Sequence, residues 1–174
     1  MHTSDRSSLA QPHCAPSLEH DDCFAVRQAA RHLSQLYERH LSAAGLTPTQ
    51  FSILGALGAL GSLGATDPAD GKASLTMAQL ARTMVMERTT LVRALRPLLR
   101  SGLVADRAGL QDAGGAAART DCRRREVSLT AAGRERLGEA GVHWRAAQDE
   151  FERRFGAPRA AWLRRELLRI TRAV

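Results

Sequence analysis

The segment from Leu75 to Thr130 constrains the fold of this chain more than any other part of it. A short helical pattern, Thr76–Thr83, is followed by a brief turn and by a second helical pattern, Arg88–Leu95. Two β-type segments come next, Leu103–Arg107 and Asp121–Leu129, with a glycine- and alanine-rich loop between them. This order predicts a helix-turn-helix followed by an arginine-bearing β-hairpin, which we call the wing.

The helices before the wing have recognisable start signals. Asp21 or Asp22 caps a first helix that runs to about Ala44, and its apolar residues recur near helical spacing. Residues Thr47–Gln50 predict the start of a second helix. They supply a threonine N-cap, a proline in the first helical position and a glutamine that completes a capping box. Thr76–Gln79 repeats the capping box at the start of the helix-turn-helix.

Two further helices follow the wing. Thr130 caps a long one, Gly156 ends it, and Pro158 begins the last. The stretch from Gly61 to Gly71 contains glycine, aspartate and proline, and it is predicted to be a loop. Pro97 lies inside the second helix of the helix-turn-helix. We expect a bend or a local break there, because proline has no N–H to donate to the helix.

Composition limits the classes of protein to be considered. The 174 residues carry a formal net charge of +7, and Lys72 is the only lysine, so arginine supplies the positive charge. This balance fits nucleic acid and would also fit an anionic membrane surface. No apolar run approaches the roughly 20 residues of a membrane span, and the N-terminus lacks a signal-peptide pattern. Three unevenly spaced cysteines form no disulfide framework, so we expect a cytoplasmic protein with reduced thiols.

These motifs together resemble the MarR family of winged-helix transcription regulators, over about residues 21–174. The second helix carries Thr89-Thr90-Leu91-Val92-Arg93, and the wing carries the pattern Asp-x-Arg-x-Arg as Asp121, Arg123 and Arg125. The resemblance implies a mainly α fold with a small β-wing (α+β). Its architecture is a winged helix-turn-helix with long N- and C-terminal dimerisation helices. The loop before Leu75 and the wing loop from Ala108 to Thr120 are longer than is usual for the family.

The resemblance also divides the chain. Residues 1–20 are polar and poor in large apolar side chains, and we expect a mobile arm there. Residues 21–174 form one domain, in which 21–44 and 130–174 supply dimerisation helices and 47–129 form the DNA-binding lobe. An ordinary intramolecular core is the alternative use of the C-terminal apolar residues. The residues assigned to the dimer interface are Trp144, Phe151, Phe155, Trp162, Leu163 and Leu167.

The predicted partner is double-stranded DNA. The first turns of the second helix hold Arg88, Thr89, Thr90 and Arg93, and a helix N-terminus with small hydroxyls suits phosphate and base-edge contacts. A merely solvated surface is the alternative, but the apolar residues occupy the other face of this helix. In the wing, Asp121 is expected to pair with a neighbouring arginine, and the resemblance implies that Arg123 enters the minor groove. Arg125 is a further candidate DNA-binding residue of the wing. The alternative for the wing is a solubilising loop.

Two sensing mechanisms stay open. The resemblance matches Cys23 to the reactive cysteine of the family's organic-hydroperoxide sensors, and Tyr37 to a tyrosine that hydrogen-bonds this cysteine. The two lie about 21 Å apart along one helix, so Tyr37 must come from the other subunit. Arg27, one turn after Cys23, replaces a second tyrosine of that branch and favours pairing with a ligand carboxylate instead. Cys23 as a small buried hydrophobe is the third interpretation.

The sequence, together with what the family resemblance implies, predicts a homodimeric, cytoplasmic repressor that binds a pseudo-palindromic operator and is released by a small aromatic anion. One alternative is a hydroperoxide-sensing repressor that uses Cys23, another is a small-molecule-binding protein with a vestigial DNA-binding lobe, and a third is an architectural DNA binder. His13, Cys14, His20 and Cys23 match no structural zinc spacing, so we expect no metal and no cofactor. No catalytic arrangement of residues is recognisable, so we do not expect an enzyme. Because no apolar run is long enough to span a membrane, we expect no membrane partner.

Overall fold

The computed structural model of the protein describes residues 18–61, 74–106 and 126–173. The chain divides into two compact units, Met1–Leu33 and Ser34–Val174. In the first unit, a short 3-10 helix, Leu18–His20, precedes the start of helix α1, Asp22–Leu41. Asp21 caps α1, because its Oδ1 accepts the backbone N–H of Phe24 at 3.0 Å.

The second unit contains most of the helices and all of the strands that the structure describes. After α1 come α2 (Pro48–Gly61), β1 (Ser74–Thr76), α3 (Met77–Met84), α4 (Arg88–Arg100), β2 (Val104–Asp106), β3 (Glu126–Leu129), α5 (Ala131–Phe155) and α6 (Ala157–Ala173). The mainly helical fold with a small β-wing, built as a winged helix-turn-helix, is therefore confirmed. None of these described helices is long and apolar enough to cross a membrane.

The connection from α1 to α2 follows the local signals. A 3-10 helix, Ser42–Ala44, ends at Gly45, whose φ of 64° lies in the left-handed region that glycine adopts without strain. Thr47 and Gln50 then form the predicted capping box. The backbone N–H of Thr47 donates to Gln50 Oε1 at 2.9 Å, and the backbone N–H of Gln50 donates to Thr47 Oγ1 at 3.2 Å. Residues Thr47–Gln50 alone thus determine where α2 begins.

A three-stranded antiparallel sheet joins the helix-turn-helix to the wing, in the order β1-β3-β2. Leu75 pairs with Val127 on one side of β3, and Ala105 pairs with Ser128 on the other. The sequence pattern did not indicate β1, because three residues are too few to show a strand period. Residues 107–125, which include the whole of the predicted wing loop, lie outside the described part.

The core of the second unit lies where α2, α3 and α4 pack against one another and against the sheet. Leu54 of α2, Leu80 of α3 and Leu91 of α4 are fully buried, and Val127 brings β3 to the same cluster. Such side chains each contribute about 1.5–3 kcal/mol when removed from water. The core therefore holds α4 by one face and leaves its other face to solvent.

Pro97 does not break α4. The helix continues through it to Arg100, and the Pro97 carbonyl accepts the N–H of Ser101 at 2.9 Å. Of the expected bend or local break, the break does not occur, because Pro97 stands only three residues from the helix end and its neighbour Leu98 is buried in the core. Packing of the last turn outweighs the missing hydrogen bond.

The junction between β3 and α5 is tightly built. Thr130 Oγ1 accepts the N–H of Gly133 at 3.0 Å and donates to the carbonyl of Gly102 at 2.7 Å. The N–H of Thr130 donates to the carbonyl of Leu103 at 3.2 Å. A Cβ on Gly133 would overlap the Leu103 carbonyl oxygen and would come within 2.8 Å of Leu129 Cδ1. Glycine is required here because α5 begins against the backbone that leads into β2.

Candidate nucleic-acid interface

The turn between α3 and α4 sets the direction of α4. The capping box of Thr76 and Gln79 starts α3, as predicted. The helix ends at Val85, whose N–H donates to the carbonyls of Ala81 and Arg82 and whose φ is 50°. Glu87 is the N-cap of α4, and its side chain makes no capping hydrogen bond. The α4 N-terminus therefore carries backbone N–H groups without a side-chain cap.

The exposed face of α4 carries the four residues of this helix that the sequence assigned to DNA. Arg88, Thr89, Thr90 and Arg93 are exposed. The opposite face is held in the core by buried leucines, which are Leu91, Leu95 and Leu98. The structure thus places these four side chains on one accessible surface at the start of the helix. Their contacts with DNA remain a prediction.

The same face extends beyond the residues that the sequence pattern indicated. Arg96 and Arg100 are exposed and follow Arg93 at helical spacing, and Arg82 is exposed at the end of α3. Within residues 18–61, 74–106 and 126–173, Arg82, Arg96 and Arg100 have no ion pair with a carboxylate. Continuing the helical period of α4 beyond Leu95 would have found Arg96 and Arg100. The face is a stripe of positive charge, which suits a polyanion.

Only the base of the wing lies in the described part of the chain. Ser74 of β1 and Ser128 of β3 are buried, and the Ser74 hydroxyl donates to Glu126 Oε2 at 2.6 Å. This bond fastens the start of β3 to β1. The sequence-predicted wing residues, Asp121, Arg123 and Arg125, lie outside the described residues.

The proposed sensing residues differ in exposure. Cys23 and Arg27 are both exposed in the first unit, one helical turn apart on α1, and the Cys23 thiol forms no disulfide. Within this chain Cys23 is therefore not the buried hydrophobe of the third interpretation. Tyr37, in the second unit, is half-buried. Which sensing mechanism operates remains a prediction.

Tyr37 belongs to an aromatic cluster that the sequence did not indicate. Its ring centroid lies 4.4 Å from that of Trp144, and Trp144 stacks on Phe51 at the same 4.4 Å. Burial raises the pKa of the Tyr37 hydroxyl, Arg164 opposes the rise, and Glu152 adds to it. Tyr37 and Trp144 thus each make a packing contact inside one protomer, and the Trp144 ring joins α5 to α2.

The remaining apolar residues assigned to a dimer interface are more accessible. Phe155 and Trp162 are exposed, at 40% and 56%, whereas Leu163 and Leu167 are half-buried. Phe151 stacks on Phe155 with ring centroids 5.2 Å apart. Two further large apolar side chains of α6, Leu168 and Ile170, are exposed as well. Exposed large apolar side chains of this kind mark interaction surfaces.

An ion-pair cluster joins the end of α1 to α5. Glu150 Oε2 lies 2.8 Å from His40 Nε2, and Glu150 Oε1 lies 2.7 Å from Arg154 and 3.7 Å from Arg39. The hydrogen bond from His40, followed by the charge of Arg154, lowers the pKa of Glu150 below its ordinary value. The carboxylate therefore holds two helices in register in its charged form.

A metal site finds no support in the described residues. No group of three or more His, Cys, Asp or Glu side chains there is arranged to hold an ion. Two members of the loose cluster seen in the sequence, His13 and Cys14, lie outside those residues.

Comparison with solved structures finds transcriptional regulators that match most of the chain. The transcriptional regulator MosR of M. tuberculosis is 34% identical, with a TM-score of 0.66, and the match covers 90% of this chain and 97% of MosR. A structure of MosR in complex with DNA is 36% identical, with a TM-score of 0.63, and covers 88% and 96%. NadR in complex with 4-hydroxyphenylacetate is 21% identical, with a TM-score of 0.66 and coverage of 88% and 96%, and shares the fold. Neither a family sequence model nor a curated protein sequence matches.

Proposed function

Because the chain belongs to the MarR family of winged-helix transcription regulators and is not an enzyme, we propose that it represses transcription as a DNA-bound homodimer. The observation that carries this proposal is the exposed face of α4, where hydroxyl and arginine side chains surround a helix N-terminus. MosR, which is 36% identical to this chain, has been crystallised in complex with DNA.

In the proposed complex, the N-terminal half of α4 enters the major groove. Thr89, Thr90 and Arg93 reach base edges, and Arg88 contacts phosphate at the rim. Arg96 and Arg100, further along the same face, are assigned to phosphates because side chains there have moved away from the groove floor. The family resemblance assigns Arg123 to the minor groove. Asp121 pairs with a neighbouring arginine of the wing and holds its turn, and Arg125 is a further DNA-binding residue of the wing.

The domain division follows the family resemblance. Residues 47–129 form the DNA-binding lobe, residues 1–20 form an arm, and residues 21–44 and 130–174 supply the dimer contacts. The exposed Trp162 and Ile170 on α6 support an interface there, since large apolar side chains in water are unfavourable. A two-fold dimer predicts an operator of matching symmetry, with half-sites about 10 base pairs apart.

The proposed effector is a small aromatic carboxylate that Arg27 binds. Arg27 is exposed and can offer a bidentate hydrogen bond to a carboxylate. NadR, which shares the fold, has been crystallised with 4-hydroxyphenylacetate, a molecule of this class. The second candidate is release by thiol oxidation, and the exposed, free Cys23 favours it. Both mechanisms suit a cytoplasmic protein, where thiols are reduced at rest.

The experiment that tests the proposed function is selection of randomised duplexes by the full chain, followed by footprinting and measurement of the complex stoichiometry. We expect a pseudo-palindromic footprint occupied by two protomers. An asymmetric footprint bound by one protomer would overturn the dimer proposal. Failure to enrich any sequence would overturn specific DNA binding and favour the ligand-binding protein with a vestigial lobe. Trp162→Glu is a useful variant, because disruption of the dimer should weaken operator binding without unfolding the lobe.

A further inference from the structure

Val85, in the turn between α3 and α4, has an unusual backbone conformation for its residue type. Its φ and ψ are 50° and 48°, in the left-handed region. A β-branched residue is a rare occupant of that region, because its side chain crowds the following carbonyl. Glycine would end the helix in the same way without strain, since the hydrogen bonds to the carbonyls of Ala81 and Arg82 come from the Val85 backbone.

The core does not explain why valine stands there. Val85 is 75% exposed, more than any other large hydrophobic residue that is exposed in the described part of the chain. Its isopropyl group therefore contributes little to folding, while its backbone conformation opposes folding. A side chain that is both strained and exposed points to a role outside the folded protomer.

The neighbours of Val85 in the chain identify the surface on which it lies. Arg82 and Thr83 precede it on the exposed face of α3, and Arg88 and Thr89 follow it at the exposed start of α4. Val85 is an apolar side chain between two polar, positively charged segments that both belong to the proposed DNA-binding surface. Val85 is therefore part of the same surface.

We infer that Val85 is a specificity-determining residue that contacts the C5-methyl group of a thymine in the major groove. This inference rests on the proposed DNA binding. An isopropyl group has no hydrogen-bonding atom, and the thymine methyl is the apolar group that base pairs present in the major groove. The contact would discriminate a T·A pair from the others at one position of each half-site, next to the bases that the start of α4 reaches.

The test pairs a protein substitution with a base substitution. The operator recovered by duplex selection is synthesised with uracil in place of each thymine in turn, which removes only the C5-methyl group. For wild-type protein, one uracil position per half-site should weaken binding about fourfold, the factor expected for burying one methyl group. Val85→Ala removes the isopropyl methyls and should bind thymine and uracil operators equally at that position. Val142→Ala, which truncates another exposed valine, on α5, should keep the full thymine preference.

Val85→Gly separates the contact from the turn. Removing the strained side chain should raise the midpoint of thermal unfolding, while operator affinity falls to that of Val85→Ala. Equal thymine preference in the wild type, Val85→Ala and Val85→Gly would overturn the inference, and Val85 would be a tolerated turn residue only. If the wild type binds the operator but shows no sensitive thymine, the inference fails while the proposed function stands. If the wild type binds no duplex, both fail.

Discussion

Replacing Gly133 by alanine tests the close approach between α5 and the strand that precedes the wing. The new Cβ would overlap the Leu103 carbonyl oxygen and lie 2.8 Å from Leu129 Cδ1 and 3.0 Å from the Leu103 carbonyl carbon. Carbon atoms pack best at about 3.5–4.0 Å, and the Leu103 carbonyl oxygen lies closer to the new Cβ than either carbon, so relief of the overlap requires a movement of about one ångström or more. The Leu129 methyl can rotate away, but the Leu103 carbonyl is held by the N–H of Thr130.

The expected cost is the difference between two effects. Overpacking that shifts backbone costs about 1–3 kcal/mol, and a weakened Thr130 bond adds about 1 kcal/mol. Alanine in a helix gains about 0.5–1 kcal/mol over glycine. The free energy of unfolding should therefore fall by about 2 kcal/mol, which lowers the thermal midpoint by about 4–8 °C in a domain of this size.

Gly138→Ala is the matched control. Gly138 lies on the same helix, and a Cβ there meets nothing within 4 Å. The same substitution should therefore stabilise the protein, by about 0.5–1 kcal/mol. Denaturant unfolding of both variants, at one protein concentration so that any dimer contributes equally, measures the two effects. Equal or greater stability of Gly133→Ala than of the wild type would refute the reasoning from close approach.

The remaining predictions concern the DNA contacts, the ion pairs of Glu150 and the sensing residues. Thr90→Ala and Arg93→Ala should weaken binding to the operator more than binding to random duplex. Arg96→Ala, Arg100→Ala and Arg123→Ala should weaken binding to both, and each should reduce the log–log slope of affinity against salt by about one unit for every phosphate that the variant no longer binds. Equal effects of all five substitutions would contradict the division into base and phosphate contacts. Glu150→Gln should be less stable than the wild type near neutral pH. Because the folded pKa of Glu150 is lowered below 4.5, its contribution to the free energy of unfolding is complete above that value and is lost as pH falls through the folded pKa. The difference in stability between the two proteins should therefore disappear on titration from about pH 6 to about pH 3. A difference that does not change with pH would assign the effect to packing. Arg27→Ala should abolish the release of operator DNA by an aromatic carboxylate such as 4-hydroxyphenylacetate, whereas Cys23→Ser should leave this response intact. Release of DNA by an organic hydroperoxide that is abolished in Cys23→Ser and blunted in Tyr37→Phe would establish the thiol mechanism instead.

The sequence by itself determined the features that depend on neighbouring residues. Both capping boxes, at Thr47 and Thr76, join side chains and backbone three residues apart, and both were predicted. The same holds for Thr130 at the start of α5. The buried face of α4 repeats with the helical period, so the exposure of Arg88–Thr90 and Arg93 could be derived by elimination. Together with the family resemblance, these local patterns were sufficient to predict the winged-helix fold.

Only the tertiary structure decided what depends on residues far apart in the chain. The strand β1 exists because Ser74–Thr76 pairs with Glu126–Ser128, and no periodicity within three residues could show it. The contacts of Trp144 with Tyr37 and Phe51, and the approach of Gly133 to Leu103, likewise depend on how distant elements pack. Helix starts are local because their hydrogen bonds close within one turn. Strand pairs, aromatic stacks and steric limits are set by the whole core, so no single segment encodes them.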